Sequence, residues 1–425
     1  MSVGSAMVVS IQSLHPVSLC SLSKATERPV PKLLNPFFLS QSSPLHHSLT
    51  STSASHVSTL GPTRGRAISM SLQMEEAATE LEPELDIPSV VEITIPPESL
   101  AGFEADYERV SATWPADLAT TVDDAKIEQF VSSAHALARR WLPQEVVSRL
   151  EAFIFDPNEP AALVIRGLPI DKELPPTGLD CHVKKSGSCV SETWLVGIGR
   201  IVGQVFTLKY LRGSRTGMGL LVRELYTTPD KVESISAEGS RQLLDMHVDF
   251  FQVGPELFPN VIGFMGIRGD RNKEGKTLLT ENRKLYRMLD PADIELLRTE
   301  KITWGGAVFS FSAHVIEGSE SNPRFNIFEE NLPGVGGFEN VVKGSPEAVA
   351  AYKRVKAIAA TIVEGVWLGT GDVLLLNQKK ASHGRSPYAA KYDGYDRWLQ
   401  RTYINTGGFW QAGIVQWPSR TVPYP

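Results

Sequence analysis

Three side chains able to ligate a metal stand in two short segments: His247 and Asp249 in L-L-D-M-H-V-D-F-F, and His383 far downstream in N-Q-K-K-A-S-H-G-R. His-x-Asp with one distant His is the ligand set that holds Fe(II) on one face and leaves the opposite positions open for a co-substrate and O2. Arg397 and Arg401 follow in D-R-W-L-Q-R. An oxo-acid that chelates iron through its keto-acid end carries a second carboxylate, and a guanidinium is the side chain best matched to that group. The pattern points to a non-haem iron oxygenase.

Such residues work only if the backbone brings them together. On a strand, residues i and i+2 share a face, so His247 and Asp249 are expected to reach one ion while Val248 turns away. The third ligand must fold back from elsewhere, and G-D-V-L-L-L-N (residues 371–377) reads as a buried strand leading to His383. Beyond it, Arg397, Leu399, Arg401 and Tyr403 alternate with Trp398, Gln400 and Thr402, which sets both arginines on one strand face. Competing histidines are few past the N-terminal tail. His135 sits in a helical pattern and His182 in a polar loop. His314 ends the alternating stretch V-F-S-F-S-A and could line a pocket, although a packed strand histidine is the commoner case.

The long stretch from Leu374 to Arg401 resembles the C-terminal signature of the clavaminate synthase and asparagine/arginine oxygenase branch of the Fe(II)/2-oxoglutarate dioxygenases, within the taurine dioxygenase superfamily. Asn377, His383-Gly384-Arg385, Tyr392-Asp393-Gly394, Asp396-Arg397-Trp398-Leu399 and Arg401 carry the likeness, which extends over about residues 160 to 410. The resemblance implies His247, Asp249 and His383 as iron ligands, with Arg397 holding the distal carboxylate of 2-oxoglutarate and Thr277 in G-K-T-L-L-T contacting it. It implies Arg401 as receiver of the substrate carboxylate, and Asn326 and Glu329 in N-P-R-F-N-I-F-E-E as polar substrate contacts. The activity implied is O2-dependent hydroxylation of an unactivated C–H of a small carboxylate-bearing substrate, a free amino acid or derivative, coupled to decarboxylation of 2-oxoglutarate. A carboxylate at Asp249 occupies the position that a halogenase of the superfamily leaves for chloride, so halogenation is disfavoured.

Two segments depart from the branch. The metal strand there reads H-T-E or H-T-D with a polar continuation, whereas this chain has H-V-D-F-F-Q-V-G-P with apolar Phe250 and Phe251. Upstream, where the branch offers a Gln or Glu to the substrate amine, the chain has Arg215-Thr216-Gly217-Met218-Gly219. Arg215 reads either as a solvated loop charge or as a sign of a more anionic substrate.

Residues 1–72 are expected to form a transit peptide, residues 73–158 a linker and helical lobe, and residues 159–425 the oxygenase domain. The tail to Met74 is Ser-rich, with five Lys/Arg and one acid, Glu27, and no long apolar run; that composition matches an organelle import segment rather than a secretory signal, with the chloroplast stroma expected over the mitochondrion because serine greatly outnumbers arginine. The expected class is α+β, mainly β, with a double-stranded β-helix (jelly roll) core and flanking helices. Helical periodicity at 122–141 and 143–155, a buried strand at 161–169, strand patterns from Leu220 onward and a helical insert at 347–362 fill in that plan. A hydrophobic content of 42% and a formal charge of -6 leave no electrostatic footprint for nucleic acid or anionic membrane. Cys181 and Cys189 flank a Lys-containing loop. Free thiols are preferred there over a redox disulfide, and a zinc site with His182 would lack a fourth ligand. A cupin-like non-oxygenase metal protein, or a retired relative that only binds a small molecule, are the alternatives; the first would not require Arg397. The composition of the tail predicts that residues 1–74 fused to a fluorescent reporter will enter plastids and be cleaved near residues 65–75, read by microscopy and by mass spectrometry of the processed protein.

Overall fold

Helical spacing and strand alternation account for most of the architecture. The computed structural model describes residues 87–424 except 116–117, 119–120, 180–187, 211–219, 230–240, 306–309 and 329–341. The import-like tail, Cys181, His182, Arg215 and Glu329 lie outside the described residues. After the edge strand β1 (Val90–Thr94) come α1 (Phe103–Ser111), α2 (Asp124–Trp141) and α3 (Gln144–Ala152). α2 begins where the Asp123 carboxylate accepts from Ala125 N and Lys126 N at 3.0 Å each. It ends before Leu142-Pro143, since a residue preceding proline is pushed out of the helical region. Its buried stripe, from Ile127 and Phe130 to Leu137 and Ala138, packs on α4 (Val190–Val202). Gly197 permits that contact, because a Cβ there would stand 2.4 Å from the Ala134 carbonyl oxygen.

A large mixed sheet lies on the other side of α4. Its order is β1, β2 (Ala162–Arg166), β13 (Val373–Asn377), β6 (Val261–Arg268), β15 (Trp398–Asn405), β3 (Gln204–Tyr210) and β16 (Thr421–Tyr424), with β4 (Arg223–Tyr226) also paired to β15. Alternation divides its side chains between two cores. Val373 and Leu375, Met265 and Ile267, and Trp398 and Ile404 face the helices. Leu374 and Leu376, Ile262 and Phe264, and Leu399 and Tyr403 face the other way, packing with Leu279, Val366 and Ala381. Those last three belong to a smaller sheet of order β12 (Glu364–Val366), β7 (Thr277–Glu281), β14 (Ala381–Arg385) and β5 (Leu244–His247). The second core therefore sits between two sheets.

Between β7 and β12 the chain builds an elaboration with its own core around Trp304, Phe325 and Tyr352. It contains α5 (Asn282–Arg287), α6 (Pro291–Thr299), the pair β8 (Lys301–Gly305) and β9 (Ser310–His314), the pair β10 (Ile316–Gly318) and β11 (Pro323–Phe325), and α7 (Pro346–Ala359). α7 is the helical insert expected at 347–362. A short α8 (Gly408–Gln411) precedes β16.

The tight turn between β13 and β14 carries the chain from one sheet to the other. Lys380 in that turn is buried, and its ammonium donates to the carbonyls of Asp156 at 2.8 Å, Glu159 at 2.7 Å and Pro157 at 3.3 Å, just beyond α3. Removing the donor strands three carbonyls. Lys380→Met should cost about 2–4 kcal/mol in urea unfolding; a change below about 0.5 kcal/mol would show that the turn does not depend on this tether.

Candidate metal centre and co-substrate cavity

β5 ends at His247, and β14 runs antiparallel beside it with His383 as the direct cross-strand partner of His247. Their ring centroids are 4.3 Å apart. Asp249 is not on the strand, contrary to the spacing argument. It occupies the turn that follows, and Phe250 after it takes a left-handed φ of 57°. The i, i+2 relation thus brings the carboxylate back by a turn rather than by strand alternation.

That turn is held from several sides. Asp249 N donates to Gln378 Oε1 at 2.7 Å, while Gln378 Nε2 donates to Pro259 O at 2.7 Å and to Asp249 O at 3.3 Å. Val248 N donates to Ile327 O at 2.9 Å. Phe250 packs edge-on against Tyr403 in the second core, and Phe251 enters the aromatic group of Trp304, Phe311 and Phe328 in the third. The two apolar residues that depart from the resembled pattern are therefore anchors that follow a candidate ligand and enter two different cores.

His247, Asp249 and His383 each offer a ligand atom within 4.8 Å of the others. His247 Nδ1 is 2.8 Å from the Asp245 carbonyl oxygen. A carbonyl only accepts, so Nδ1 carries the proton in that bond and Nε2 keeps its lone pair. Nε2 lies 3.3 Å from Asp249 Oδ1. Two electron-rich atoms at that separation need a cation between them, and ligands at roughly 2.1 Å from one octahedral ion, near right angles, are about 3 Å apart. The donor set fits a divalent ion.

Electrostatics agree with that fit. Burial alone would raise the Asp249 carboxyl, but the adjacent His247, His383 and Arg401 side chains hold it well below the usual carboxylate range. Burial, with the neighbouring His247, pushes His383 down to about 3, so its imidazole is neutral and able to ligate. Tyr403 Oη donates to Asp249 Oδ2 at 3.0 Å, and Arg401 Nη1 lies 3.6 Å from the same oxygen. Oδ1 is left toward the histidines.

His383 opens onto a cavity, continuous with solvent, that Thr277, Arg397 and Arg401 also line. Arg397 precedes β15 and donates from Nε to Gly275 O at 3.0 Å, its guanidinium over the Tyr388 ring. Gly275 makes room: a Cβ there would lie 2.9 Å from Arg397 Cδ. The preceding Asp396 carboxylate accepts from Lys391 N at 2.8 Å and Tyr392 N at 2.5 Å, fixing the loop from which Arg397 projects. Thr277 opens β7 directly opposite Arg385 of β14.

Asn326 is elsewhere. Its amide donates to His314 O at 2.8 Å and Glu317 Oε1 at 3.2 Å, bracing β9 to β11, and it does not line this cavity. His314 is not in the ligand cluster found among the described residues. Sequence reasoning missed Gln378 and the Tyr403 hydroxyl contact. The signal for Gln378 was a polar residue that continues an apolar strand in L-L-L-N-Q.

Two histidines and a carboxylate at the edge of an arginine-lined cavity between two sheets define a non-haem iron oxygenase site. Comparison with known proteins agrees. No family model matches the chain. It is 28% identical to clavaminate synthase 2 of Streptomyces clavuligerus over 67% of this chain and 86% of that protein. It is 27% identical to L-lysine 3-hydroxylase of Catenulispora acidiphila over 82% of this chain and 91% of that protein. Among solved structures, the non-haem iron oxygenase OrfP in complex with Fe and alpha-ketoglutaric acid superposes with a TM-score of 0.60 at 18% identity, over 79% of this chain and 100% of that one. The chain is thus similar to members of the branch that its C-terminal signature resembles.

The geometry predicts that Co(II) or Mn(II), added anaerobically, will raise the melting temperature of wild type by several degrees and leave His383→Ala unmoved. Gln378→Leu should fold yet bind metal about 10- to 100-fold more weakly, as expected for a group that orients a ligand; unchanged metal affinity in isothermal titration would sink that assignment.

Proposed function

We propose that the protein is an Fe(II)- and 2-oxoglutarate-dependent dioxygenase that hydroxylates an unactivated C–H of a small carboxylate-bearing substrate, an amino acid or derivative. The convergence of His247, Asp249 and His383 beside the cavity that Arg397 and Arg401 line carries this reading. When bound, iron supplies activation of O2 coupled to oxidative decarboxylation of 2-oxoglutarate.

The residues of this chain do the rest. The three ligands hold one face of the ion and leave the cavity side open. Arg397 receives the distal carboxylate of 2-oxoglutarate, with the Thr277 hydroxyl donating to the same end. Burial strengthens that pairing, since Arg397 is only 7% exposed and Coulomb attraction grows as water is excluded. Arg401 receives a substrate carboxylate on the same strand face, two strand repeats further along. Leu225, Phe264 and Leu399 form the apolar wall that keeps water from the reacting carbon.

The two sheets and the core between them support a double-stranded β-helix, and we assign residues 159–425 to that domain, 73–158 to the linker and helices, and 1–72 to a plastid transit peptide. The presence of Arg397 on the cavity wall favours this reading over a cupin-like protein, and the complete ligand set favours it over a retired relative.

Anaerobic addition of Fe(II) and 2-oxoglutarate should produce the weak visible metal-to-ligand charge-transfer band in wild type and none in His383→Ala. Arg397→Ala should weaken 2-oxoglutarate binding about 100-fold, as loss of a bidentate charge-assisted contact implies. Iron binding without the band would transfer the protein to the cupin class.

A further inference from the structure

Tyr388 lies beyond β14 and lines the cavity with Thr277, Arg385 and Arg397. It is buried, so its hydroxyl needs a partner inside the protein. That partner is the Thr227 hydroxyl, itself buried just past the end of β4. The Tyr388 main-chain N–H donates to Arg241 O at 3.1 Å, a few residues before β5. One residue is thus tied to both ends of the connection between β4 and β5.

The ring makes a second set of contacts. The Arg397 guanidinium stands over it at 5.6 Å from the centroid, and that of Arg385 at 5.5 Å. Arg385 is also held from elsewhere, donating from Nη2 to Gln242 O at 2.8 Å. Arg397 has its Nε on Gly275 O, and the Asp270 carboxylate fixes that loop by accepting from Glu274 N at 2.6 Å and Gly275 N at 3.1 Å. Burial lowers the Arg397 pKa, and Tyr388 opposes that loss. A Cβ on Gly275 would lie 2.9 Å from Arg397 Cδ and 3.1 Å from Tyr388 Cγ, so carbonyl, guanidinium and ring fill the space together. An arginine side chain has several rotatable bonds, and its reach into a cavity is set only when it is held at more than one point. Gly275 holds the Nε of Arg397 and Tyr388 its flat face.

We propose that Tyr388 is a positioning residue that sets co-substrate chain length: anchored on Thr227, its ring stops Arg397 where the guanidinium meets the distal carboxylate of 2-oxoglutarate and not that of a 2-oxo diacid one methylene longer. The inference rests on the oxygenase reading above. A rigid stop discriminates by a single methylene because the longer acid must bend or displace a buried group held at two points.

The test uses full-length enzyme with Fe(II) under anaerobic conditions, titrated with 2-oxoglutarate or 2-oxoadipate. Both acids chelate through the keto-acid end, so the charge-transfer band reads either one. Wild type should bind 2-oxoglutarate at least about tenfold more tightly. Tyr388→Phe keeps the ring and loses the anchor; it should weaken 2-oxoglutarate about 3- to 10-fold, the loss of one neutral hydrogen bond, and leave 2-oxoadipate within about twofold. Thr227→Val should do the same, and the double variant should bind no more weakly than either single one, because all three remove the same bond. Mn(II) affinity in isothermal titration without co-substrate should stay within about twofold of wild type in each variant, as it would not if the loss were general damage to the fold. Equal binding of the two acids by wild type, unchanged 2-oxoglutarate affinity in Tyr388→Phe, additive losses in the double variant or a parallel fall in Mn(II) affinity overturns the assignment and leaves the oxygenase reading standing. If wild type binds iron and forms no band with either acid, the oxygenase reading fails and this inference falls with it.

Discussion

The pairing of β5 with β14 is the constraint on which the site depends. Three candidate ligands must reach one ion, yet they come from segments separated by most of the second half of the chain. Register solves this, because His383 lies directly across from His247. A slip of one residue would turn His383 to the other face of the smaller sheet and remove it from the cluster. Gln378 and Lys380 resist such a slip from the turn that leads into β14. Gln378 grips the backbone of Asp249, and Lys380 ties the same turn to the carbonyls beyond α3. The β14 ligand and the Asp249 turn are thus located by one short connection.

The arginine face is the second organising feature, and its cost lies in burial. Arg397 and Arg401 are each only 7% exposed, and burial pulls the Arg397 pKa below its ordinary value, although it stays a cation. Partial compensation comes from the protein. Tyr388 is flanked by Arg385 and Arg397, and Gly275 lets its carbonyl approach the Arg397 side chain. A cavity walled by such groups suits carboxylates, which both 2-oxoglutarate and the proposed substrate carry.

The elaboration between β7 and β12 also serves the metal strand. Lys356 of α7 pairs with the Asp245 carboxylate at 2.6 Å, and the Asp245 carbonyl orients His247. Phe251 enters the aromatic core of that elaboration while Phe250 enters the core between the sheets. The turn bearing Asp249 is stretched between two hydrophobic clusters, so its position is set by packing on both sides rather than by loop chemistry alone.

Side-chain chemistry made part of this protein legible in its sequence. His247, Asp249 and His383 could be named because few residue types ligate iron, and Arg397 because a guanidinium matches a carboxylate in a way no other side chain does. Helical and strand periods located α2, α3, α7 and β13, since burial of one face imposes those periods locally. Tertiary structure decided what depends on distant partners. Asp249 proved to sit in a turn because Gln378 and two aromatic clusters hold it there, and Asn326 proved to brace β9 and β11 because its amide finds acceptors on that side. The bond between Tyr388 and Thr227 exists only because the segments after β14 and β4 meet in the fold. Residue type and spacing determined which groups could do chemistry; strand pairing, which acts between segments that sequence distance does not relate, decided which of them share a cavity.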